Sequence, residues 1–226
     1  HSETYILNTG EGQSHSNLKP KGDIIIKCDH SYTSQWFPDV KGDNITGWPM
    51  FIVPNIVHYI VFDKFQVTFT HYLSILSVVD NHNPDEIIIH CNCDDLEGSY
   101  WDNILVEMAL TKTVLTIRRI EKPLTVWENP LSEKWFNLHS SDVLRLRILM
   151  EFGGIFINND VVLIESLDKF RRFEMTVGRD DNKYIGNQVL IANRKSRFLH
   201  LWYHSYKSYN SSLLFYNSKK VPTKHI

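Results

Sequence analysis

The stretch HSSDVLRLRILMEFGGIFINNDVVLI, residues 139–164, joins a predicted helix to a predicted buried strand. Apolar residues recur at helical spacing over its first half, and Ser140 or Ser141 could cap the helix. The glycine pair at 153–154 ends that helix. The strand that follows is apolar except for the Asn-Asn-Asp triplet at 158–160, whose side chains need hydrogen bonds, water or a cation. This unit predicts a polar site where a helix and a strand meet.

The region before this stretch alternates between strand-like and helix-like segments. This order predicts a doubly wound α/β sheet flanked by helices, which binds ligands beyond the carboxyl ends of its strands. The first strand is followed by neither G-x-G-x-x-G nor G-K-[ST], which argues against a dinucleotide or P-loop site. The segments are NIVHYIVF (55–62), VTFTHYLSILSVVDNHNP (67–84), DEIIIHCNC (85–93), GSYWDNILVEMALTK (98–112) and VLTIRRIEKP (114–123).

The chain divides by composition into two parts. Residues 1–50 are polar and turn-rich and are predicted to be an irregular lead-in or stem, although DIIIKCDH (23–30) could add an edge strand. Residues 51–226 are predicted to form one α/β domain. The length of 226 residues is enough for one domain with a well-covered core.

The net charge of -2 gives no reason to expect nucleic acid or an anionic membrane as a partner. The longest apolar run, FIVPNIVHYIVF (51–62), is interrupted by polar residues and a proline and cannot span a bilayer as a helix. Two glycosylation sequons, NIT at Asn44 and NSS at Asn210, point to a secretory route. Membrane contact is therefore expected only through a segment outside this chain.

Three charged residues in the opening stretch are candidates for a ligand site. Asp142 and Arg145 are three residues apart and share one helical face, where they could form a local ion pair on a solvated surface. The triplet that contains Asp160 could equally be a plain turn. If the helix packs on the sheet and the strand ends at the triplet, however, the three side chains meet at one edge of the sheet. There, Arg145 could bind a phosphate and Asp160 a hard divalent cation.

These residues carry a resemblance to a known family. SDVLR, EFGGIF and INNDVVLI, within residues 141–164, resemble the S-D-x-x-R and G-G-[IV]-[YF]-[LI]-D-x-D pattern of the DXD-containing glycosyltransferases of family 32. VPNIVHYIVF (53–62) is similar to that family's first strand, and residues 172–206 resemble a later Asn-containing strand with its helix. SLDKFRRFEM and FYNSKKVPTKHI look closest to uncharacterised animal members. The resemblance covers residues 50–226 and implies a GT-A type fold, a Rossmann-like mixed sheet flanked by helices.

The resemblance also implies a function. Family members are retaining transferases that use Mn2+ or Mg2+ to move a sugar from a nucleotide sugar, most often UDP-linked, to an acceptor hydroxyl of a glycan, lipid or protein. It implies that Asp160, with Asn158, holds the metal ion, and that Arg145 offsets the charge of the leaving diphosphate. Asp142 would bind sugar hydroxyls and orient the anomeric carbon.

Three further residues have an implied role and an equally open structural alternative. His58 and Tyr59 on the first strand would lie near the base or ribose of the nucleotide, or they are core residues of a buried strand. Asn187 would lie near the donor sugar or acceptor, or it is an Asn at a turn or strand entry.

The chain departs from the family pattern at one position of the DXD motif. Asn158 stands where the family has its first Asp; it keeps a carbonyl oxygen but lacks the charge that helps to hold a divalent ion. Family members also continue beyond the point corresponding to Ile226, so we expect the site to lack a wall. The alternative function is a weak or inactive glycosyltransferase-like domain that binds nucleotide sugar or glycan. For either function we expect a location in the secretory pathway, in the Golgi.

Overall fold

The computed structural model describes residues 23–25, 42–63, 65–93, 95–180 and 184–225. In chain order, its strands are β1 (Asp23–Ile25), β2 (Ile56–Val61), β3 (Phe65–Gln66), β4 (Glu86–Cys91), β5 (Leu96–Glu97), β6 (Val114–Arg119), β7 (Thr125–Val126), β8 (Asn129–Pro130), β9 (Gly154–Ile157), β10 (Met175–Asp180) and β11 (Tyr184–Ala192). Seven of them form one sheet in the order β1-β10-β11-β9-β2-β4-β6. The other four form two small two-stranded pairs, β3 with β5 and β7 with β8.

Four α-helices of eight residues or more flank the central sheet in the described part of the chain. They are α1 (Phe69–His82), α2 (Ser99–Met108), α3 (Phe136–Phe152) and α4 (Arg197–Ser205). Short 3-10 helices cover Asp168–Arg172 and Tyr206–Ser208, and a π-helical turn, Tyr216–Lys220, runs into the helical turn Val221–Thr223.

The sheet is mixed, as predicted. β2 pairs in parallel with β4 and β9, and β4 pairs in parallel with β6, whereas β11 runs antiparallel to β9 and β10 antiparallel to β11. Alternate side chains of β2 point to opposite faces of the sheet, and both faces are covered. Tyr59 lies in the core cluster that includes residues of α1 and α2, and Ile60 lies in the cluster that includes residues of α3 and α4. The predicted α/β fold, with a Rossmann-like mixed sheet flanked by helices, is confirmed.

The first two predicted helices and the early strands lie where their periodicity places them. The predicted helices 67–84 and 98–112 correspond to α1 and α2, and the predicted strands 85–93 and 114–123 correspond to β4 and β6. The near-continuous apolar runs in β2 and β4 are typical of parallel strands that are buried on both faces.

The unit at residues 139–164 differs from the prediction at both ends. α3 begins at Phe136, about one turn before the predicted serine cap, and its N-cap residue Trp135 makes no side-chain capping bond. Asp142 therefore lies in the second turn of α3. β9 ends at Ile157, so the polar triplet 158–160 lies beyond the strand rather than within it. The triplet is a turn, and it is also the carboxyl end of a strand.

Gly154 makes the close approach of β9 to the start of β2 possible. Its φ is +104°, in a region that L side chains rarely adopt, and a Cβ atom placed there would lie 2.5 Å from the backbone oxygen of Ile56. The break between helix and strand therefore requires glycine at this position, and it brings β9 against the start of β2.

The predicted lead-in is described only in part, since residues 1–22 and 26–41 lie outside the described residues. β1 is an edge strand next to β10. Trp48 is buried, and its backbone N–H donates to the Arg172 carbonyl at 2.8 Å. The domain boundary at residue 50 stays a prediction. Within the described ranges, none of the helices combines the length and the apolar character that crossing a membrane requires.

Candidate functional site

Asp142, Arg145 and Asn187 form one buried polar cluster, although Asn187 lies on a different element from the other two. The Asn187 amide Nδ2 donates to Asp142 Oδ1 at 2.8 Å, and the same oxygen lies 3.2 Å from Arg145 Nη2. Arg145 Nη1 in turn donates to the Asn187 backbone carbonyl at 2.5 Å. Helix α3 supplies the charged pair at helical spacing, and β11 supplies the amide, so the sheet and the helix together fix the triangle.

Arg145 is held from several sides. Its Nη2 donates to Ser141 Oγ at 2.9 Å, its Nε donates to the Ser141 carbonyl at 3.2 Å, and its guanidinium lies 4.6 Å from the centre of the Phe156 ring. This orientation leaves little rotational freedom, which favours a role in binding an anion at a defined point.

Burial controls the electrostatics of the charged pair. Asp142 is 9% exposed and Arg145 is 5% exposed. Desolvation raises the pKa of Asp142, and the positive charges of Arg145 and His139 oppose that rise. Desolvation lowers the pKa of Arg145, and the negative charges of Asp142 and Asp160 oppose it. Charges in such surroundings are weakly screened, so a ligand charge placed beside them would interact strongly with them.

Asp160 lies in a tight turn at the carboxyl end of β9. The turn is closed by a bond from Val161 N–H to the Asn158 carbonyl at 3.1 Å. Asn159 Nδ2 donates to the Ile60 carbonyl at 2.9 Å and thereby ties the turn to the end of β2. The Asp160 side chain is left exposed. The turn therefore presents one carboxylate at the edge of the sheet.

The negative charge of Asp160 affects the pKa values of two neighbouring side chains. It opposes the desolvation that lowers the pKa of Arg145. It also opposes the desolvation that lowers the pKa of His71, in the first turn of α1. Asp160 is therefore electrostatically coupled to α1 as well as to the buried cluster. Asp142, Arg145, Asn187 and the Asn158–Asp160 turn share one edge of the sheet.

His58 and Tyr59 are not brought into this cluster. His58 is fully buried, with Nε2 bonded to the Gly153 carbonyl at 2.8 Å and Nδ1 3.1 Å from His90 Nε2. Tyr59 is buried beneath α1, where its hydroxyl lies 3.2 Å from Ser74 Oγ. Both side chains precede the carboxyl end of β2 and face covered sides of the sheet, because every position of this strand except its first is buried.

Several side chains near Asp142 were not predicted. Tyr206 and Lys219 interact electrostatically with the Asp142 carboxylate, and the Ser218 hydroxyl lies beside it. His139 is held by the Tyr209 hydroxyl at 2.5 Å. All except His139 come from the end of the chain, and no motif or periodicity marks them, so only the folded arrangement reveals them.

The turn offers few protein ligands to a metal ion. Asp160 can supply carboxylate oxygens and Asn158 one amide oxygen. Within the described residues, no three His, Cys, Asp or Glu side chains gather to form a metal site. Mg2+ is commonly bound through one or two carboxylates together with substrate phosphates. The residues therefore fit a cation that a bound diphosphate helps to hold, rather than one caged by the protein alone.

The comparisons with known proteins confirm the resemblance that the sequence carries: the chain is similar to the DXD-containing glycosyltransferases of family 32. Residues 71–177 match the family described as a glycosyltransferase sugar-binding region containing a DXD motif. The matched segment includes Asp142, Arg145, Asn158 and Asp160, while Asn187 lies after it.

The particular relatives are distant. Glucan organizing enzyme 1 of Cryptococcus neoformans var. grubii is 26% identical over 180 residues, which cover 72% of this chain and 46% of that protein. The uncharacterized protein At4g19900 of Arabidopsis thaliana is 30% identical over 78 residues, which cover 33% of this chain and 12% of that protein. This chain thus spans less than half the length of either curated relative.

Among solved structures, the chain is similar to the PaToxG glycosyltransferase. The TM-score is 0.48 at 14% sequence identity, with 76% of this chain and 68% of that chain covered.

Proposed function

We propose that this chain is the nucleotide-sugar-binding domain of a metal-dependent, retaining glycosyltransferase that uses a UDP-linked donor. One observation carries the proposal: Asp142, Arg145 and Asn187 form a buried, mutually bonded cluster at the same edge of the sheet as the exposed carboxylate of Asp160. Beyond the carboxyl ends of parallel strands is where α/β sheets bind ligands. The acceptor is a hydroxyl of a glycan, lipid or protein.

Each residue of the cluster has a role that follows from its chemistry. As the bond between the sugar and the diphosphate breaks, negative charge gathers on the diphosphate, and the fixed guanidinium of Arg145 stabilises that charge. Asp142 accepts hydrogen bonds from sugar hydroxyls and orients the anomeric carbon, and the Asn187 amide fixes the direction of its carboxylate. Asp160 and Asn158 hold Mn2+ or Mg2+, which supplies further charge neutralisation at the diphosphate when bound.

Isothermal titration calorimetry with UDP and Mn2+ tests this proposal directly. We expect the chain to bind UDP more tightly with Mn2+ than without it, and Asp160→Ala to remove the metal-dependent part of the affinity. Asp80→Ala, an exposed carboxylate on α1, is the matched control and keeps it. Equal UDP affinity with and without Mn2+ in the unchanged chain would contradict metal dependence.

A second candidate function is a domain that binds nucleotide sugar or glycan without turnover. Asn158 favours it, because the first position of the DXD motif lacks its carboxylate charge. The two functions differ in one assay, the release of free sugar from UDP-glucose, UDP-galactose and their N-acetyl derivatives. Binding without release, in both the unchanged chain and Asn158→Asp, would support the binding module.

We also propose that the protein is a secretory-pathway glycoprotein resident in the Golgi, with any membrane contact made outside this chain. Asn44 supports this location, since its sequon lies in an exposed turn closed by Asp43 and Gly47. Asp43 Oδ1 accepts the Thr46 backbone N–H at 2.7 Å, which helps to hold the turn. Fluorescence microscopy of the tagged full-length protein beside a Golgi marker tests the location.

A further inference from the structure

The end of the described chain covers the Asp142 side of the candidate site. Residues 213–223, here named the strap, pack against β11 and include the π-helical turn Tyr216–Lys220. Hydrogen bonds from three other elements hold the strap: Trp202 Nε1–H to the Asn217 carbonyl at 3.1 Å, Ile185 N–H to Thr223 Oγ1 at 3.0 Å, and His139 Nε2 with the Leu214 carbonyl at 3.1 Å. The strap therefore forms a wall beside the cluster.

Two polar side chains of the strap are buried with an unused hydrogen-bonding group. Asn217 is 4% exposed and Ser218 is 2% exposed. The Asn217 carbonyl Oδ1 accepts the Asn210 backbone N–H at 2.9 Å, but among the described residues its Nδ2 has no hydrogen-bond partner, and neither does Ser218 Oγ. Leaving a buried polar group unsatisfied costs about 1–3 kcal/mol. Such groups are uncommon in folded proteins, and each one calls for an explanation.

Ser218 is directed at the candidate site. Desolvation raises the pKa of the Asp142 carboxyl, and after Arg145 and His139, the nearby Ser218 hydroxyl is the next influence that lowers it. The hydroxyl thus lies beside the carboxylate, although outside the geometry of an ordinary hydrogen bond. π-helical turns are rare and are frequently found at functional sites. Ser218 and Lys219, both in this π-helical turn, are the strap residues that influence the Asp142 carboxyl.

We infer that Ser218 and Asn217 are further donor-sugar-binding residues, and that the strap closes over the hexose ring of the nucleotide sugar. A hexose carries several hydroxyl groups, each of which can both donate and accept. The ring would replace the imperfect contact between Ser218 and Asp142 with full hydrogen bonds to both, and would accept a bond from Asn217 Nδ2. This inference rests on the proposed function, because it assigns further residues to the same sugar site.

One consequence is that the strap moves when the donor binds. Asp142, Asn187 and Ser218 are each less than one-tenth exposed, so a hexose reaches them only if the strap shifts outward and then closes again.

A comparison of UDP with UDP-sugars tests the inference. The donor is the one of UDP-glucose, UDP-galactose, UDP-N-acetylglucosamine and UDP-N-acetylgalactosamine that the unchanged chain binds most tightly with Mn2+ in calorimetry. Ser218→Ala is expected to weaken binding of that donor about tenfold, equivalent to about 1.4 kcal/mol, while UDP affinity changes less than about twofold. Its melting temperature should not fall, because the hydroxyl it removes lacks a partner.

Asn217→Asp provides an independent variant, since it keeps the oxygen that accepts the Asn210 backbone N–H and replaces the Nδ2 donor with a carboxylate oxygen that cannot donate. It should also weaken the UDP-sugar selectively. Ser211→Ala is the matched control: Ser211 is an exposed serine two residues before the strap, so this variant should bind both ligands as the unchanged chain does.

The outcomes separate the two proposals. If UDP binds but Ser218→Ala and Asn217→Asp hold the UDP-sugar as tightly as the unchanged chain, the strap residues do not bind sugar and this inference is overturned. If neither UDP nor any of the four UDP-sugars binds the unchanged chain, the proposed function itself fails, and the inference fails with it.

Discussion

At the scale of single residues, the buried Asp142–Arg145 ion pair is expected to be highly sensitive to substitution. Removing one partner of a buried ion pair costs about 3–5 kcal/mol, because the other charge remains buried without compensation. Asp142→Asn keeps the shape of the side chain but removes its charge. We expect it to lower the free energy of unfolding by about 3 kcal/mol in urea denaturation.

Asp80→Asn changes the same chemical group on the exposed surface of α1 and should leave the free energy of unfolding within about 0.5 kcal/mol of the unchanged chain. If both variants unfold alike, the carboxylate of Asp142 does not stabilise the buried guanidinium, and the cluster is weaker than its geometry indicates.

Gly154 allows a prediction with a close internal control. Gly154→Ala would place a methyl group 2.5 Å from the Ile56 carbonyl oxygen at a φ of +104°, so we expect a loss of about 3 kcal/mol of folding free energy. Gly178→Ala on β10 meets nothing within 4 Å and should be nearly neutral. Thermal unfolding of the two variants side by side measures the difference; equal melting temperatures would show that β9 can move away from β2.

The buried histidine pair predicts a pH dependence of stability. Desolvation lowers the pKa of His58 to about 4 and the pKa of His90 to about 3, so both are neutral in the folded chain near pH 7. In the unfolded chain, each takes up a proton near pH 6.5. Stability should therefore be flat above about pH 6.5 and fall as the pH drops toward 4, by up to about 1.4 kcal/mol per pH unit for each histidine.

Urea denaturation at pH 7.5, 6.5, 5.5 and 5.0 measures this slope. His90→Gln removes one of the two protonation sites and should reduce the slope between pH 6.5 and 5.0 by about one proton. A slope unaffected by His90→Gln would mean that other groups set the acid sensitivity.

At the scale of elements, the turn after β9 is where the family pattern changes. Asn159 fixes the turn through the Ile60 carbonyl, so position 158 can be altered without loss of the local backbone. Asn158→Asp adds a carboxylate beside Asp160, and divalent ions prefer charged oxygen ligands. We expect this variant to bind Mn2+ about tenfold more tightly in the presence of UDP, equivalent to about 1.4 kcal/mol in calorimetry.

The sequence predicted elements best where periodicity alone determines them. Helix α1 and strand β4 follow from apolar spacing, and the structure places them within a few residues of the prediction. The start of α3 could not be predicted, because no capping side chain marks it: helix α3 begins after Trp135 without a capping bond. The Asn-Asn-Asp triplet satisfied both interpretations, since a turn can also be the end of a strand.

At the scale of the whole molecule, the fold brings together residues that lie far apart in the sequence. Asp142 and Arg145 could be paired from their helical spacing, but the contact with Asn187 crosses from α3 to β11. The position of Asn187 near the site was predicted from the family resemblance alone. Ser218 carried no signal, because one serine in a polar segment is ordinary and only tertiary packing buries it beside a carboxylate.

The two sequons predict different outcomes in a secreted form of the chain. Asn44 lies in an exposed turn, whereas Asn210 is half-buried and its Oδ1 accepts the Ser212 backbone N–H at 3.0 Å. When the chain is expressed behind a secretion signal in animal cells, we expect a glycan at Asn44 and little at Asn210. Asn44→Gln should then abolish the mass shift on glycosidase treatment, and Asn210→Gln should retain it.

The bond from Asn159 to the Ile60 carbonyl links the turn that carries Asp160 to β2, which lies between β9 and β4 in the sheet. We therefore expect an ion bound at this turn to restrict the motion of β2 as well as that of the turn itself. Occupancy at Asp160 should slow amide hydrogen exchange along β2 as well as at the loop. Binding of the ion would then also make the interior of the sheet more rigid.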